Sequence, residues 1–276
     1  MKINAQTKLF AVIGNPVGHS KSPLIHNLAL TEKKINGVYL AFKIENIKNA
    51  IVSMKELGVV GYSVTIPHKL EVIKYLDKID DKAKRIGAVN TIHNLGGKLI
   101  GYNTDCFGAI NALKQKTTLK GKRVYLLGVG GASRAIITGL VDEGAIVKIF
   151  NRSEKELKKF AKEFDSEYGL IDTVDKNFDI LINATPVGMY PNTDECPVKK
   201  EILENGKNKV VFDIVYNPLE TKLLKLAKKS GCKTIAGIEM FLEQAYSQFE
   251  IWNNVSPPKE KMKKLLIKTL KNEAKN

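Results

Sequence analysis

Short apolar runs alternate with amphipathic stretches along the first hundred residues, predicting strands and helices in succession. Leu9–Gly14 is an apolar run ending in Gly14-Asn15-Pro16, a strand followed by a turn. Pro23–Lys34 reads as a helix, Val38–Ile44 as a strand, Asn46–Leu57 as a helix and Val59–Ile66 as a strand. Leu70–Tyr75 and Asp80–Ile86 read as short helices, and Ala88–Asn94 and Leu99–Tyr102 as strands around a Gly96-Gly97 turn. Alternation with connections this short implies βαβ units and a mostly parallel sheet.

A second β/α series starts near Lys120. Strand Arg123–Leu127 runs into Gly128, and Ala132–Glu143 is helical. Val147–Phe150 is a strand, Glu154–Phe164 a helix, and Asp179–Ala184, Val210–Val215 and Thr234–Ala236 are further strands, with Pro218–Lys229 helical between the last two. After Gly237 only helices follow, Glu239–Trp252 and Pro258–Lys271. The expectation is a two-domain α/β chain: a mostly parallel β/α substrate domain at 1–104, a Rossmann-type nucleotide-binding domain at 105–238, and helices at 239–276 returning to the first domain.

Composition narrows this picture. A chain of 276 residues that is 43% hydrophobic and 26% charged has enough apolar content for real cores, which excludes a disordered or collagen-like chain. No run of eighteen apolar residues crosses a membrane, and Met1–Phe10 lacks the apolar core of a signal peptide. Cys106, Cys196 and Cys232 are far apart and make no metal cluster with the four histidines, so no metal is expected and a reducing, cytoplasmic compartment is the default. The formal charge of +15 raises a nucleic-acid or membrane partner, but of the 44 basic residues only Arg85, Arg123, Arg134 and Arg152 are arginines, the residues that read phosphates and base edges best. A lysine-rich solvated surface is the simpler reading, and neither nucleic acid nor membrane is expected. In Pro258–Lys271, Met262, Leu265, Leu266 and Leu270 recur at helical spacing among lysines, which fits docking on the protein's own domain better than a membrane surface.

Gly128-Val129-Gly130-Gly131-Ala132-Ser133 directly follows an apolar strand and opens a helix. Gly128 permits a tight turn, Gly130 and Gly131 admit a pyrophosphate, and the helix N-terminus supplies N–H donors. Ser133 replaces the third glycine of the usual G-x-G-x-x-G. An NAD site places a carboxylate about 20 residues downstream, whereas here the second strand ends Phe150-Asn151-Arg152-Ser153. Arg152 stands where a 2′-phosphate would lie and Asn151 and Ser153 add neutral donors, so NADP is expected rather than NAD.

The first domain carries a polar constellation. Ser20-Lys21-Ser22-Pro23 precedes a helix: Ser22 reads as its N-cap, and the two hydroxyls at a helix start suit a carboxylate. Ser63-Val64-Thr65-Ile66-Pro67-His68-Lys69 ends a strand, where parallel sheets deliver their chemistry. Thr65 can bind a hydroxyl, Lys69 can act as a general acid or base, and His68 reads as structural. Asn90 and Asp105 are polar residues among apolar and turn segments, each compatible with local turn or cap chemistry.

Taken in order, these segments resemble shikimate dehydrogenase over nearly the full length. The resemblance is carried by Gly14-Asn15-Pro16 with His19–Pro23, Val64–Lys69, Gly87–Thr91, Gly101–Asp105, Gly128–Ala135, Asn151–Ser153, Asn183–Met189, Asp213–Thr221 and Gly237–Phe241 through Gln244-Ala245. It implies reversible NADPH-dependent reduction of 3-dehydroshikimate to shikimate, on the route to chorismate and aromatic amino acids, by a monomer or homodimer. It implies further that Ser20 and Ser22 bind the substrate carboxylate, that Thr65, Asn90, Asp105, Tyr216 and Gln244 hold ring hydroxyls, and that Lys69 carries the proton with Asp105 beside it. Gly128, Val129, Gly130, Gly131, Ala132, Asn151 to Glu156, Ile214 and Gly237 would line the dinucleotide, with Asp81 a weaker contact.

Two positions depart from the family pattern. Ser63 stands where many members have asparagine, which puts one substrate hydrogen bond in doubt. Glu156 replaces a basic residue often found there, and Lys155, one position earlier, is rotated about 100° around the helix. The alternatives are an NAD-using quinate/shikimate dehydrogenase, disfavoured by the absence of an aspartate near Asn151; a basic surface-binding protein, disfavoured because the terminal helix fits docking on its own domain; and a non-catalytic nucleotide-binding protein, disfavoured by the retention of Lys69 and Asp105.

Overall fold

The computed structural model describes residues 3–273; residues 1–2 and 274–276, the last of them within the expected terminal helical region, lie outside the described residues. The chain forms two compact units, one running to Thr104 and taking in Gln244–Thr269, the other Asp105–Glu243 with residues from Leu270.

The first unit is built on β1 (Lys8–Gly14), α1 (Ser22–Glu32), β2 (Gly37–Lys43), α2 (Ile47–Glu56), β3 (Gly61–Val64), β4 (Lys78–Ile79), α3 (Asp81–Ile86), β5 (Thr91–Leu95) and β6 (Lys98–Tyr102). Its sheet has the order β2-β1-β3-β5-β6-β4. β1 pairs parallel with β2 and β3, as the alternating pattern predicts, and the two-residue β4, which was not read in the sequence, pairs parallel with β6. β5 runs antiparallel to both β3 and β6. The reason is local: Gly96 and Gly97 both have positive φ, so Thr91–Leu95 and Lys98–Tyr102 close as a tight hairpin. The segment Leu70–Tyr75 is a 3-10 turn over Glu71–Tyr75 rather than an α-helix.

The carboxyl ends of β1, β3 and β6 share an edge of the sheet, and the antiparallel β5 brings its amino end, with Asn90 before it, to that same edge.

The C-terminal helices α8 (Gly237–Asn253) and α9 (Lys259–Glu273) complete the chain. Within the first unit, the Trp252 indole donates from Nε1 to the Ile92 carbonyl at 2.9 Å. Its ring covers Gly61 so closely that a Cβ there would meet it at 2.5 Å. Met262, Leu266 and Leu270, one stripe at i, i+4, i+8, are buried, while Lys261, Lys264 and Lys268 on the other side are exposed. The apolar stripe of α9 is therefore covered by protein.

The second unit contains α4 (Asp105–Lys114), β7 (Arg123–Leu127), α5 (Gly131–Asp142), β8 (Ile146–Asn151), α6 (Glu154–Phe164), β9 (Glu167–Leu170), β10 (Ile180–Asn183), β11 (Val210–Asp213), α7 (Lys222–Lys229) and β12 (Lys233–Ile235). Its sheet is parallel throughout, in the order β12-β11-β10-β7-β8-β9. Strands buried on both faces need continuous apolar sequence, which Val210-Val211-Phe212 and Ile180-Leu181-Ile182 supply. Strand order reverses between β7 and β10, creating the crevice where α/β sheets of this kind take ligands. The short β9 and helix α4 went unread in the sequence: Glu167–Leu170 is largely exposed and carries little apolar signal, and α4 starts at the junction of the two units.

The loops beyond β10 and β11 are tied together by a buried carboxylate. Asp213 accepts from Asn183 Nδ2 at 3.0 Å, from the Val215 amide at 3.1 Å and from the Thr221 hydroxyl at 2.6 Å. Burial nevertheless outweighs these donors and raises its pKa to about 6. A carboxyl that binds its proton more tightly when folded stabilises the fold most below the unfolded value of 3.8, and that contribution is lost as pH rises through about 6. Asp213→Asn, which keeps the shape and removes the titration, tests this. In urea denaturation, the native chain should lose up to about 3 kcal/mol relative to the variant between about pH 4 and pH 7. A difference that stays flat over that range would refute the burial-driven shift.

Candidate active site

In the first unit the polar segments leave the sheet at its common edge. After β1, a Cβ on Gly14 would overlap the Thr65 side chain, and the Asn15 amide donates to the Ile66 carbonyl at 2.9 Å. Glycine at this position thus lets the strand-end loops of β1 and β3 lie against each other. The chain then turns back, with Ser20 Oγ accepting from the Ser22 amide at 3.3 Å. Ser22 is not the N-cap expected from sequence: it is the first residue of α1, and Lys21 occupies the cap position with no side-chain capping bond. The Ser20 turn brings the chain into helical geometry one residue early. The Ser22 side chain is buried and reaches the Tyr39 hydroxyl instead.

Beyond β3, Thr65 and Lys69 are half-buried. The Lys69 carbonyl accepts from the Val89 amide at 2.8 Å, and the Asn90 carbonyl accepts from the Val64 amide at 2.8 Å. These bonds stitch the Thr65–Lys69 loop to the segment before β5, so Lys69 and Asn90 leave the same short stretch of edge. His68 is buried with Nε2 3.3 Å from the Ile44 carbonyl, in keeping with a structural residue. Ser63 does not point to the site: its hydroxyl meets the Tyr39 hydroxyl at 2.6 Å and donates to Gln248 Oε1 at 2.8 Å. Asp81 opens α3 at the carboxyl end of β4, the outermost strand on this edge, and is exposed.

Asn90 is 2% exposed, with its amide held in one orientation. Oδ1 accepts from the Thr104 amide at 2.8 Å and the Thr91 hydroxyl at 2.8 Å, while Nδ2 donates to Thr104 Oγ1 at 3.0 Å. Asp105, directly after Thr104, is buried and opens α4. Gln244, on α8, is also buried.

In the second unit the glycine loop has the form its sequence predicts. Gly128 has φ +103°, and a Cβ on it would press on Thr185 and the Ala184 carbonyl at 3.0–3.1 Å, bringing the exits of β7 and β10 together at the switch point. A Cβ on Gly130 would meet nothing within 4 Å. Gly130 caps α5 and, having no side chain, contributes no side-chain cap to the N–H groups of that helix start. Val129, Gly131 and Ala132 are half-buried beside it. Ser133 is fully buried with no hydrogen-bond partner for Oγ among the described residues, which fits a small packing residue in the third glycine position.

At the end of β8, Ser153 caps α6, accepting from the Glu156 amide at 3.5 Å. Asn151 Nδ2 lies 3.4 Å from the Ser153 carbonyl and 3.5 Å from Glu156 Oε2. Ser153 and Glu156 therefore serve the helix start, and Arg152, just before Ser153, is exposed. A pyrophosphate at the glycine loop and a 2′-phosphate at Arg152 fit these residues.

Beyond β11 and β12, a Cβ on Gly237 would collide with the Ile214 carbonyl. Only glycine allows α8 to start against that backbone. Tyr216 stacks on Phe241 with ring centroids 4.5 Å apart. Asn183, quoted in sequence only as part of a motif, proves to shape this region: its Oδ1 accepts from the Thr185 amide and hydroxyl at 3.1 and 2.6 Å.

Known proteins match along the chain. Residues 12–92 match the shikimate dehydrogenase substrate binding domain, residues 111–228 the shikimate / quinate 5-dehydrogenase family, and residues 237–267 the shikimate 5'-dehydrogenase C-terminal domain. The shikimate dehydrogenase (NADP(+)) of Methanocaldococcus jannaschii is 46% identical, covering 96% of this chain and 98% of that protein. A crystal structure of a shikimate dehydrogenase in complex with NADP+ superposes with a TM-score of 0.91 at 45% identity, over 98% of both chains. The Listeria monocytogenes shikimate 5-dehydrogenase, solved with shikimate and NAD, gives a TM-score of 0.87 at 32% identity, over 96% of this chain and 98% of that one. Relatives this similar over almost the whole length place the chain in the shikimate dehydrogenase family.

Proposed function

We propose that this chain catalyses the NADP-dependent interconversion of 3-dehydroshikimate and shikimate, with Lys69 carrying the proton. The observation that supports the assignment of roles most directly is the joint exit of the Thr65–Lys69 loop and Asn90 from one sheet edge, stitched by two backbone bonds of 2.8 Å. NADPH, when bound, supplies the hydride for the ketone carbon.

The remaining work falls to the chain's own groups. Negative charge builds on the C3 oxygen as the ketone is reduced, and the Lys69 ammonium neutralises it and delivers a proton to that oxygen. In the reverse direction the Lys69 amine accepts the hydroxyl proton. Asp105 is assigned to the proton-transfer step together with Lys69 in this reading. Ser20 and Ser22 hold the substrate carboxylate, and Thr65, Asn90, Tyr216 and Gln244 hold ring hydroxyls. The glycine loop from Gly128 to Ala132 takes the pyrophosphate, Arg152 the 2′-phosphate, and Ile214 and Gly237 border the nicotinamide half. Asn151 and Ser153 border the adenosine half, and Asp81 makes a peripheral contact. A cytoplasmic setting is part of this reading.

The test of the activity is an initial-rate matrix of shikimate and quinate against NADP and NAD. Shikimate with NADP should be fastest; equal rates with both cofactors would remove the role given to Arg152. Lys69→Ala should lower kcat by a factor of about 10² or more with a smaller change in KM, whereas an unchanged kcat would show that another group moves the proton. Arg152→Ala should raise the KM for NADP by roughly tenfold or more and leave that for shikimate in place, since a charge-assisted bond to the 2′-phosphate is lost. An unaltered NADP KM would move that contact elsewhere.

A further inference from the structure

Helix α8 presents Gln244, Gln248 and Trp252 at i, i+4 and i+8, hence on one face. Of these three, Gln244 is the one expected to hold a ring hydroxyl. Gln248 is 1% exposed, and every polar atom of its side chain is engaged. Oε1 accepts from Ser63 Oγ at 2.8 Å. Nε2 donates to Thr91 Oγ1 at 3.0 Å and approaches the Asn90 carbonyl at 3.4 Å. Thr91 Oγ1 in turn donates to Asn90 Oδ1 at 2.8 Å.

One amide thus joins two polar chains. On one side it leads through Thr91 to Asn90 and Thr104. On the other it leads through Ser63 to the Tyr39 hydroxyl, which also meets Ser22. Tyr39, Ser63, Thr91 and Thr104 are all buried, so no bulk water can replace a missing partner. His26 stacks on Tyr39 with centroids 4.5 Å apart and holds that ring in place. Burial pushes the His26 pKa down to about 3, against a weaker opposing pull from Gln248, so the ring packs as a neutral group.

An apolar core would be simpler at this place and no less stable, because buried networks gain little net stability over hydrophobic packing. What a fully satisfied network does confer is a single orientation for each member. The members at its two ends are Asn90 and Ser22, which the functional reading assigns to a ring hydroxyl and the carboxylate.

We propose that Gln248 is a positioning residue for substrate binding, acting through Thr91 to hold the Asn90 amide in its binding orientation. This rests on the assignment of Asn90 to the substrate. It also accounts for Ser63: its hydroxyl has become a link between Tyr39 and Gln248.

The test is a double-mutant cycle of Gln248→Met and Asn90→Ala in the full-length protein, with KM for shikimate and for NADP and the thermal midpoint measured for each. Gln248→Met should raise the shikimate KM by about tenfold and leave the NADP KM within about twofold. In the Asn90→Ala background it should add less than about twofold, because the group it acts through is gone. Thr91→Val cuts the same link with little change in shape, and it replaces Gln248→Met should that variant not fold; it too should raise the shikimate KM selectively. A purely structural role would lower the thermal midpoint and leave the KM of the folded protein alone. An unchanged shikimate KM, or an equal effect in both backgrounds, overturns the proposal while the site reading stands. An Asn90→Ala variant with native shikimate KM overturns both.

Discussion

The antiparallel pairing of β5 between β3 and β6 is the constraint on which the first unit's chemistry depends. A parallel sheet offers only the carboxyl ends of its strands at the working edge. Reversing one strand places an amino end there as well, and Asn90 is the residue at that end. The reversal also brings Thr91 opposite Ser63 and Tyr102, so Asn90 sits among Val64, Thr104 and Gln248, which satisfy its backbone and amide groups. Without the Gly96-Gly97 hairpin the strand would need a long crossover to pair in that position, and the stitched edge around Lys69 and Asn90 would not form.

The second unit solves a different problem with backbone. Its glycines act by what they leave out: Gly128 admits the β10 exit, Gly237 admits the Ile214 carbonyl, and Gly130 leaves the start of α5 open to an anion. Side chains then secure the loops. Asp213, Asn183, Thr185 and Thr221 form a dry knot beneath the switch point. Arg152 is exposed just before a helix start capped by Ser153, where Asn151 Nδ2 lies 3.5 Å from Glu156.

Much of this was legible along the chain. The β/α order, the glycine loop and the loop carrying Lys69 stand out because apolar runs and turn residues mark them directly. The positive charge was legible too: the lysines of α9 flank an apolar stripe that is buried, so they coat a docked helix. Three things were not legible. Ser22 looked like an N-cap because Ser-Pro is a common helix start, yet the Ser20 turn shifts the cap to Lys21. The reversal of β5 against β3 left no trace in the apolar alternation, which is blind to strand direction; its one local signal was the Gly96-Gly97 turn that joins β5 to β6. Gln248 looked like any polar residue on a helix, and its only local signal is the four-residue spacing from Gln244.

The sequence by itself determined which segments become strands and helices, where backbone needs glycine, and which side chains can carry a proton or meet an anion. Those are local properties, set by periodicity, φ preferences and functional groups within a few residues. The tertiary structure alone decided that Ser63 serves the interior, that Asn90 has one amide orientation, and that a glutamine from the C-terminal helix sets it. These depend on partners more than 150 residues apart in sequence, joined only when α8 closes over β3 and β5.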